Sequence, residues 1–291
     1  QIDHLHILID RFLQGILKDW LTGASLQFKE ILKCFGDLGI LIREDSQIRI
    51  AMVHLLRWHD EPWEAAPLYT ALENIAAELF EQLGQGLLLL RLEKNSYLLL
   101  LFPKIRHNLP EDAVLEAQLV RLSEAFQVHL HCETACYIGA SVPIKDSPTL
   151  TQSLKKMQLD NVSRQSGVFI YEQPKLLPPA LIRTDKLPYW KNLLLNGCPQ
   201  MAEEEIFAYL RQAEESGAMT HEFLEQFCGD FIRMLAKLLQ EKDFRDILIQ
   251  PEIQDSFSLA SESLEGTLAF IRRILQQLPA FEGKDSEKDQ M

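Results

Sequence analysis

Apolar residues open the chain on a heptad: Ile2, Ile9 and Ile16 stand seven positions apart, with Leu5 and Phe12 three further on in the first two repeats. This spacing lays a coiled-coil seam along one helical face, which Asp19 breaks in the third repeat. Leu8, Leu13, Leu17 and Trp20 widen the stripe, so the helix reads either as a dimer seam or as a helix packed on a domain body, and Thr22-Gly23 ends it. Phe28, Ile31, Leu32 and Phe35 predict a short amphipathic helix closed by Gly36 and Gly39. A strand follows over residues 48–56, then a helix over residues 64–83 on the period of Leu68, Leu72, Ile75, Ala76, Leu79 and Phe80.

Residues 86–102 hold two apolar runs around one polar turn, too short for helices and bounded by Gly86 and Pro103, which predicts a buried hairpin with Asn95-Ser96 in its turn. The pattern continues as a helix over 111–126, a strand region over 128–141, a helix over 149–162 and a strand over 168–171. The order strand, helix, strand, strand, helix, strand, helix, strand predicts an antiparallel-centred sheet with helices on one or both faces. Pro174, Pro178 and Pro179 cannot continue a helix or a central strand, and they mark a domain boundary.

Beyond the prolines the period is helical, with helices over 188–196, 202–216, from Thr220 as N-cap, and 261–278, and with Pro251 as a breaker after an apolar stretch over 244–249. The closing residues 281–291 have almost nothing to bury and read as a solvated linker. The fold class expected is therefore α+β followed by an all-α domain. Its divisions are a linker helix over residues 1–23, a sheet domain over 24–173, a helical domain over 174–280 and a tail over 281–291.

Charge and cysteine content narrow the setting. The formal charge is −13, and residues 200–291 hold 9 Lys and Arg against 19 Asp and Glu, so this half repels a phosphate backbone. Five cysteines, Cys34, Cys132, Cys136, Cys198 and Cys228, are an odd number spread through apolar segments, which points to reduced thiols and a cytoplasmic protein. No apolar run approaches the roughly 20 residues that span a bilayer. Gln1 at the start of an already periodic helix reads as the start of a fragment of a longer chain.

Candidate chemistry is sparse. His129, His131, Cys132 and Cys136 are residue types that bind zinc, but on a strand His129 and His131 would share a face that Cys132 does not, and no second ligand pair follows. His54, His59, Asp60 and Glu61 lie at the end of the first strand and read as a solvated loop. Glu203, Glu204 and Glu205 read as acids opening a helix and complementing its dipole. Ser141 has no His and acid at supporting spacing, and no GxxxxGK[ST] or GxGxxG phosphate loop is present. No catalytic residue, cofactor site or metal site is assigned.

The segments Ala135-Cys136-Tyr137-Ile138-Gly139-Ala140-Ser141 and Ser166-Gly167-Val168-Phe169-Ile170-Tyr171 resemble strands of the GGDEF diguanylate cyclase domain, a ferredoxin-like member of the nucleotidyl cyclase group. Where that family carries its Gly-Gly-Asp/Glu-Glu-Phe turn this chain has Glu93-Lys94-Asn95-Ser96, and His54 and Leu55 stand where a metal-binding Asp is expected. The wider layout, including Leu21-Thr22-Gly23, is similar to the central region of AraC-family two-component response regulators. The resemblance implies a degenerate GGDEF-like domain that relays receiver phosphorylation to a C-terminal AraC-type DNA-binding domain, in transcription regulation downstream of a sensor histidine kinase. It implies no enzyme activity, a homodimer through Ile2, Leu5, Ile9, Phe12 and Ile16, DNA contact only through the absent domain, and no membrane partner. The alternative is a small-molecule-sensing module with a degenerate nucleotide cleft.

Overall fold

The structure, a computed structural model, describes residues 2–104, 108–171, 186–241 and 247–278, with backbone alone for residues 2–8 and 241. The Pro-rich break, the tail and residues 244–246 of the 244–249 stretch lie outside the described residues. The chain divides into two compact units, one of residues 1–158 and 165–173 and the other of residues 159–164 and 174–291.

The first unit runs α1 (Ile2–Leu21), α2 (Phe28–Asp37), β1 (Gln47–Trp58), α3 (Ala65–Glu81), β2 (Gln85–Glu93), β3 (Ser96–Pro103), α4 (Asp112–Leu130), β4 (Cys132–Ile138), β5 (Val142–Pro143), α5 (Ser147–Asp160) and β6 (Gly167–Ile170). The strand order is β2-β3-β1-β4-β6, with the two-residue β5 pairing β1 off this path. Strand β1 is central and antiparallel to both β3 and β4, and β2 and β3 form the expected hairpin. The sheet is mixed, because β6 joins β4 in parallel. That departs from an antiparallel sheet for a plain reason: a helical crossover through α5 returns the chain in the direction of β4.

Alternation along β1 shows why the strands read as nearly continuous apolar runs. Ile48, Ile50 and Met52 face a core shared with Leu17 and Leu21 of α1, Ile31 and Phe35 of α2, and Leu154 of α5. Ala51, Val53 and Leu55 face a second core shared with Leu72 and Phe80 of α3 and Leu119 and Phe126 of α4. With both faces covered, every position of β3 from Ser96 to Phe102 is buried. Each fully buried Leu there stabilises the unit by about 2 kcal/mol relative to exposure.

Two expectations shift at element ends. The linker helix of residues 1–23 is no separate segment, since Leu13, Leu17, Trp20 and Leu21 bury it in the first unit's core. Of the two glycines expected to close α2, Gly36 lies inside the helix, and Gly39, at φ +77°, takes the left-handed position just past its end.

In the second unit, α6 (Lys186–Leu195), α7 (Pro199–Glu215), α8 (His221–Glu241), α9 (Pro251–Ala260) and α10 (Leu264–Gln277) surround a core of Trp190, Leu210, Phe227, Phe231, Phe270 and Ile271. Thr220 accepts from Phe223 N at 3.1 Å, the expected N-cap of α8. Helix α9 is absent from the sequence reading. Pro251 opens it at the first turn, where a missing N–H costs nothing, and Ser263 caps a separate α10 by accepting from Gly266 N at 3.1 Å. Residues 159–164 belong to this unit through Leu264 N, which donates to Val162 O at 3.0 Å, and His221 N, which donates to Asp160 Oδ1 at 3.2 Å. Among the described residues no helix is long and apolar enough to cross a membrane.

Candidate functional site

The end of β1 meets the β2–β3 turn, and the backbone there is tight. Glu93 pairs with Ser96, so the turn proper is Lys94-Asn95. Ser96, expected in the turn, instead opens β3 and is 1% exposed. Its Oγ lies 2.9 Å from Nδ1 of His54, its partner across the β1–β3 pairing. The Asn95 carbonyl accepts from Leu55 N at 2.8 Å, pinning the turn to β1.

The turn's one carboxylate is already engaged. Lys155 of α5 places its Nζ 2.8 Å from Glu93 Oε1, while Arg91 donates to the Glu93 and Lys94 carbonyls at 3.3 and 3.5 Å. A hydroxyl beside an imidazole has the composition of a nucleophile and its base, but a Ser96 hydroxyl shut off from solvent meets no substrate. The pair therefore joins β1 to the start of β3.

The expected strand face of His129 and His131 does not exist. Helix α4 continues to Leu130 because Leu122, Phe126 and Leu130 keep a buried i, i+4 row, so His129 sits in its last turn. His131 is its cap at φ +50°. His131 Nε2 lies 3.9 Å from Asp60 Oδ2, and His59 Nε2 lies 3.4 Å from Glu133 Oε1, a solvent-facing pair of contacts that ties the end of β1 to the start of β4. Among the described residues no group of three or more His, Cys, Asp or Glu is placed to hold a metal ion.

The thiols are set for packing. Burial, with Glu133 adding to it, pushes Cys132 up to about 12. Burial likewise pushes Cys136 up to about 11 against hydrogen bonds with Ser123 and Thr134. A thiol held protonated is a poor ligand and a poor nucleophile.

Two further candidates resolve simply. Ser141 is exposed and reaches Gln47 Oε1 at 3.5 Å. Glu203, Glu204 and Glu205 do not open their helix, because Pro199 starts α7 a turn earlier; Glu203 Oε1 instead receives Arg272 Nε at 2.9 Å.

The five seam residues are divided by the structure. Ile9 is 44% and Phe12 68% exposed, whereas Ile16 is half-buried against the first unit's core. The side chains of Ile2 and Leu5 lie outside the described residues. Leu13, Leu17, Trp20 and Leu21 hold the helix in the core, whereas Ile9, one turn before Leu13 on the same face, and Phe12 are exposed.

Sequence reasoning missed Lys155, Arg91 and Tyr69 as partners around β2. Arg91 meets the Glu93 and Lys94 carbonyls within its own turn, whereas Lys155 and Tyr69 meet Glu93 and Leu89 only across elements that the fold brings together.

No protein-family model matches the chain, and no curated protein or solved structure matches it either.

Proposed function

We propose that this chain is a non-catalytic regulatory and dimerisation region of a two-component response regulator. In this reading a degenerate, ferredoxin-like GGDEF domain and a helical domain relay receiver phosphorylation, set by a sensor histidine kinase, to an AraC-type DNA-binding domain outside the sequence. The strand order β2-β3-β1-β4, antiparallel throughout with α3 and α4 as crossovers, supports the ferredoxin-like part of the reading. One observation carries the loss of catalysis. A cyclase needs carboxylates to hold divalent cations against a triphosphate, and the corresponding strand end presents the His54–Ser96 pair and a Glu93 bound to Lys155.

Relay through such a region requires two arrangements that phosphorylation weights differently. Helix α1 supplies the dimer surface in this reading, with Ile9 and Phe12 exposed in the N-terminal half of a helix that Leu13, Leu17, Trp20 and Leu21 anchor. Two measurements test it. Incubation with radiolabelled GTP and either magnesium or manganese gives no cyclic product. Sedimentation shows a dimer that Ile9→Asp shifts to monomer; unchanged association in that variant removes α1 as the interface, and any cyclic product ends the non-catalytic reading.

A further inference from the structure

The edge of the sheet at β2 is flanked by a cleft of about 310 Å³ that no part of the regulatory reading uses. Arg11 and Gln14 of α1, Tyr69 and Thr70 in the first two turns of α3, and Arg91 of β2 line it. Its charge is unlike that of the molecule. The chain carries a formal −13, yet the lining holds two guanidinium groups and, among the described residues, no carboxylate. Among those residues neither guanidinium forms an ion pair.

The geometry orients these groups. Arg91 spends Nε and one Nη2 proton on the Glu93 and Lys94 carbonyls, which fixes the guanidinium plane and leaves its Nη1 protons for another acceptor. Tyr69 donates to Leu89 O at 2.7 Å, and burial, followed by the Glu73 carboxylate beyond the lining, holds its phenol neutral, so it adds no negative charge to the cleft. Ala65 and Ala66 of the first turn of α3 also line the cleft, at a helix start that Glu64 does not cap with its side chain.

We infer that this cleft binds a dianionic phosphate group, free or carried on a small phosphomonoester, with Arg11 and Arg91 as its clamp. Two permanent guanidinium charges, that of Arg91 held in plane, match a dianion, and each planar group can present paired N–H donors to phosphate oxygens. The cleft is about ten times the ~30 Å³ that one water occupies in the liquid, which leaves room beside the phosphate for a compact organic group. Arg11 precedes the exposed Phe12 on α1, so an anion held in common with Arg91 would tie the N-terminal half of that helix to β2 and α3. The inference goes beyond the regulatory reading and does not need it, since the cleft lies wholly within the first unit.

The test follows the melting temperature of the full 291-residue chain as sodium phosphate, glucose 6-phosphate or glucose is added at constant ionic strength set with sodium chloride. A ligand that binds only the native state raises Tm saturably. The expected result is a saturable rise with phosphate or glucose 6-phosphate and none with glucose. The apparent affinity should fall by about tenfold or more in Arg11→Gln and in Arg91→Gln, the effect of losing one charge-assisted clamp. Arg11 is exposed, so Arg11→Gln keeps the test valid even where Arg91→Gln perturbs the hairpin. Tighter binding of glucose 6-phosphate than of phosphate identifies a phosphomonoester site, and the reverse a free-phosphate site. No saturable rise with either anion, or an equal rise in wild type and Arg11→Gln, overturns the inference.

Discussion

His54 Nδ1 and Ser96 Oγ meet at 2.9 Å across the β1–β3 pairing, where Ser96 is 1% exposed. Removing the buried hydroxyl takes away a side-chain hydrogen bond that joins the two strands. Ser96→Ala is therefore expected to destabilise the first unit by about 1–2 kcal/mol, read as a lower urea midpoint at unchanged slope.

Helix α1 carries buried residues that anchor it and exposed residues that do not, and truncation separates them. Leu17 is fully buried, so Leu17→Ala is expected to cost about 2–5 kcal/mol. Phe12 is 68% exposed, so Phe12→Ala should change monomer stability by no more than about 0.5 kcal/mol while weakening self-association in sedimentation. Equal losses of stability in the two variants would show that Phe12 packs within its own chain.

Gly139 closes β4 against α5 with no space for a side chain. A Cβ there would stand 2.8 Å from Leu150 Cδ2 and 2.9 Å from the Ile50 carbonyl, to which Gly139 N donates at 2.9 Å. Gly139→Ala is expected to cost about 1–3 kcal/mol by overpacking. Adding Leu150→Ala relieves the side-chain clash but not the clash with the backbone, so thermal denaturation of the double variant should show no return to wild-type stability.

Thiol ionisation sets the alkaline limit. Burial raises Cys132 to about 12, and Cys136 and Cys228 to about 11, from an ordinary value of 9.0. Between those values the folded chain keeps protons that the unfolded chain has released, so stability falls as pH rises. The stabilisation is complete below about pH 9 and is lost progressively toward pH 11–12, which urea midpoints across that range should register. At pH 8 a thiol reagent should modify the half-exposed Cys198 first and reach Cys132, Cys136 and Cys228 only on unfolding.

The elements most legible in the sequence are those whose periodicity survives in burial. Leu87 to Leu90 and Leu98 to Phe102 spell the hairpin because helices cover both faces of the sheet, and Leu68, Leu72, Ala76 and Phe80 spell α3 because they are its buried row, with Ile75 and Leu79 packed beside them. Where two periods overlap, the reading fails. Val128 and His129 look like the start of a strand, yet Leu130 completes the buried row of α4 and reverses the assignment. Pro251 shows that a proline marks a helix start as readily as a helix end, and only packing on Ala260 and Ile253 decides between them. At the candidate site the missing acids were legible residue by residue. The Lys155 bond to Glu93 was not, because charge pairing across distant elements leaves no trace in spacing.

Tyr69 has a consequence for growth beyond one molecule. Strand β2 is the outermost of its sheet, and an uncovered outermost strand is a template on which another polypeptide extends the ladder. With the Tyr69 hydroxyl seated on the Leu89 carbonyl, an incoming strand must first evict a phenol. Lateral accretion of copies into fibrils is disfavoured on that flank, and the opposite flank at β6 offers only four residues to a would-be neighbour.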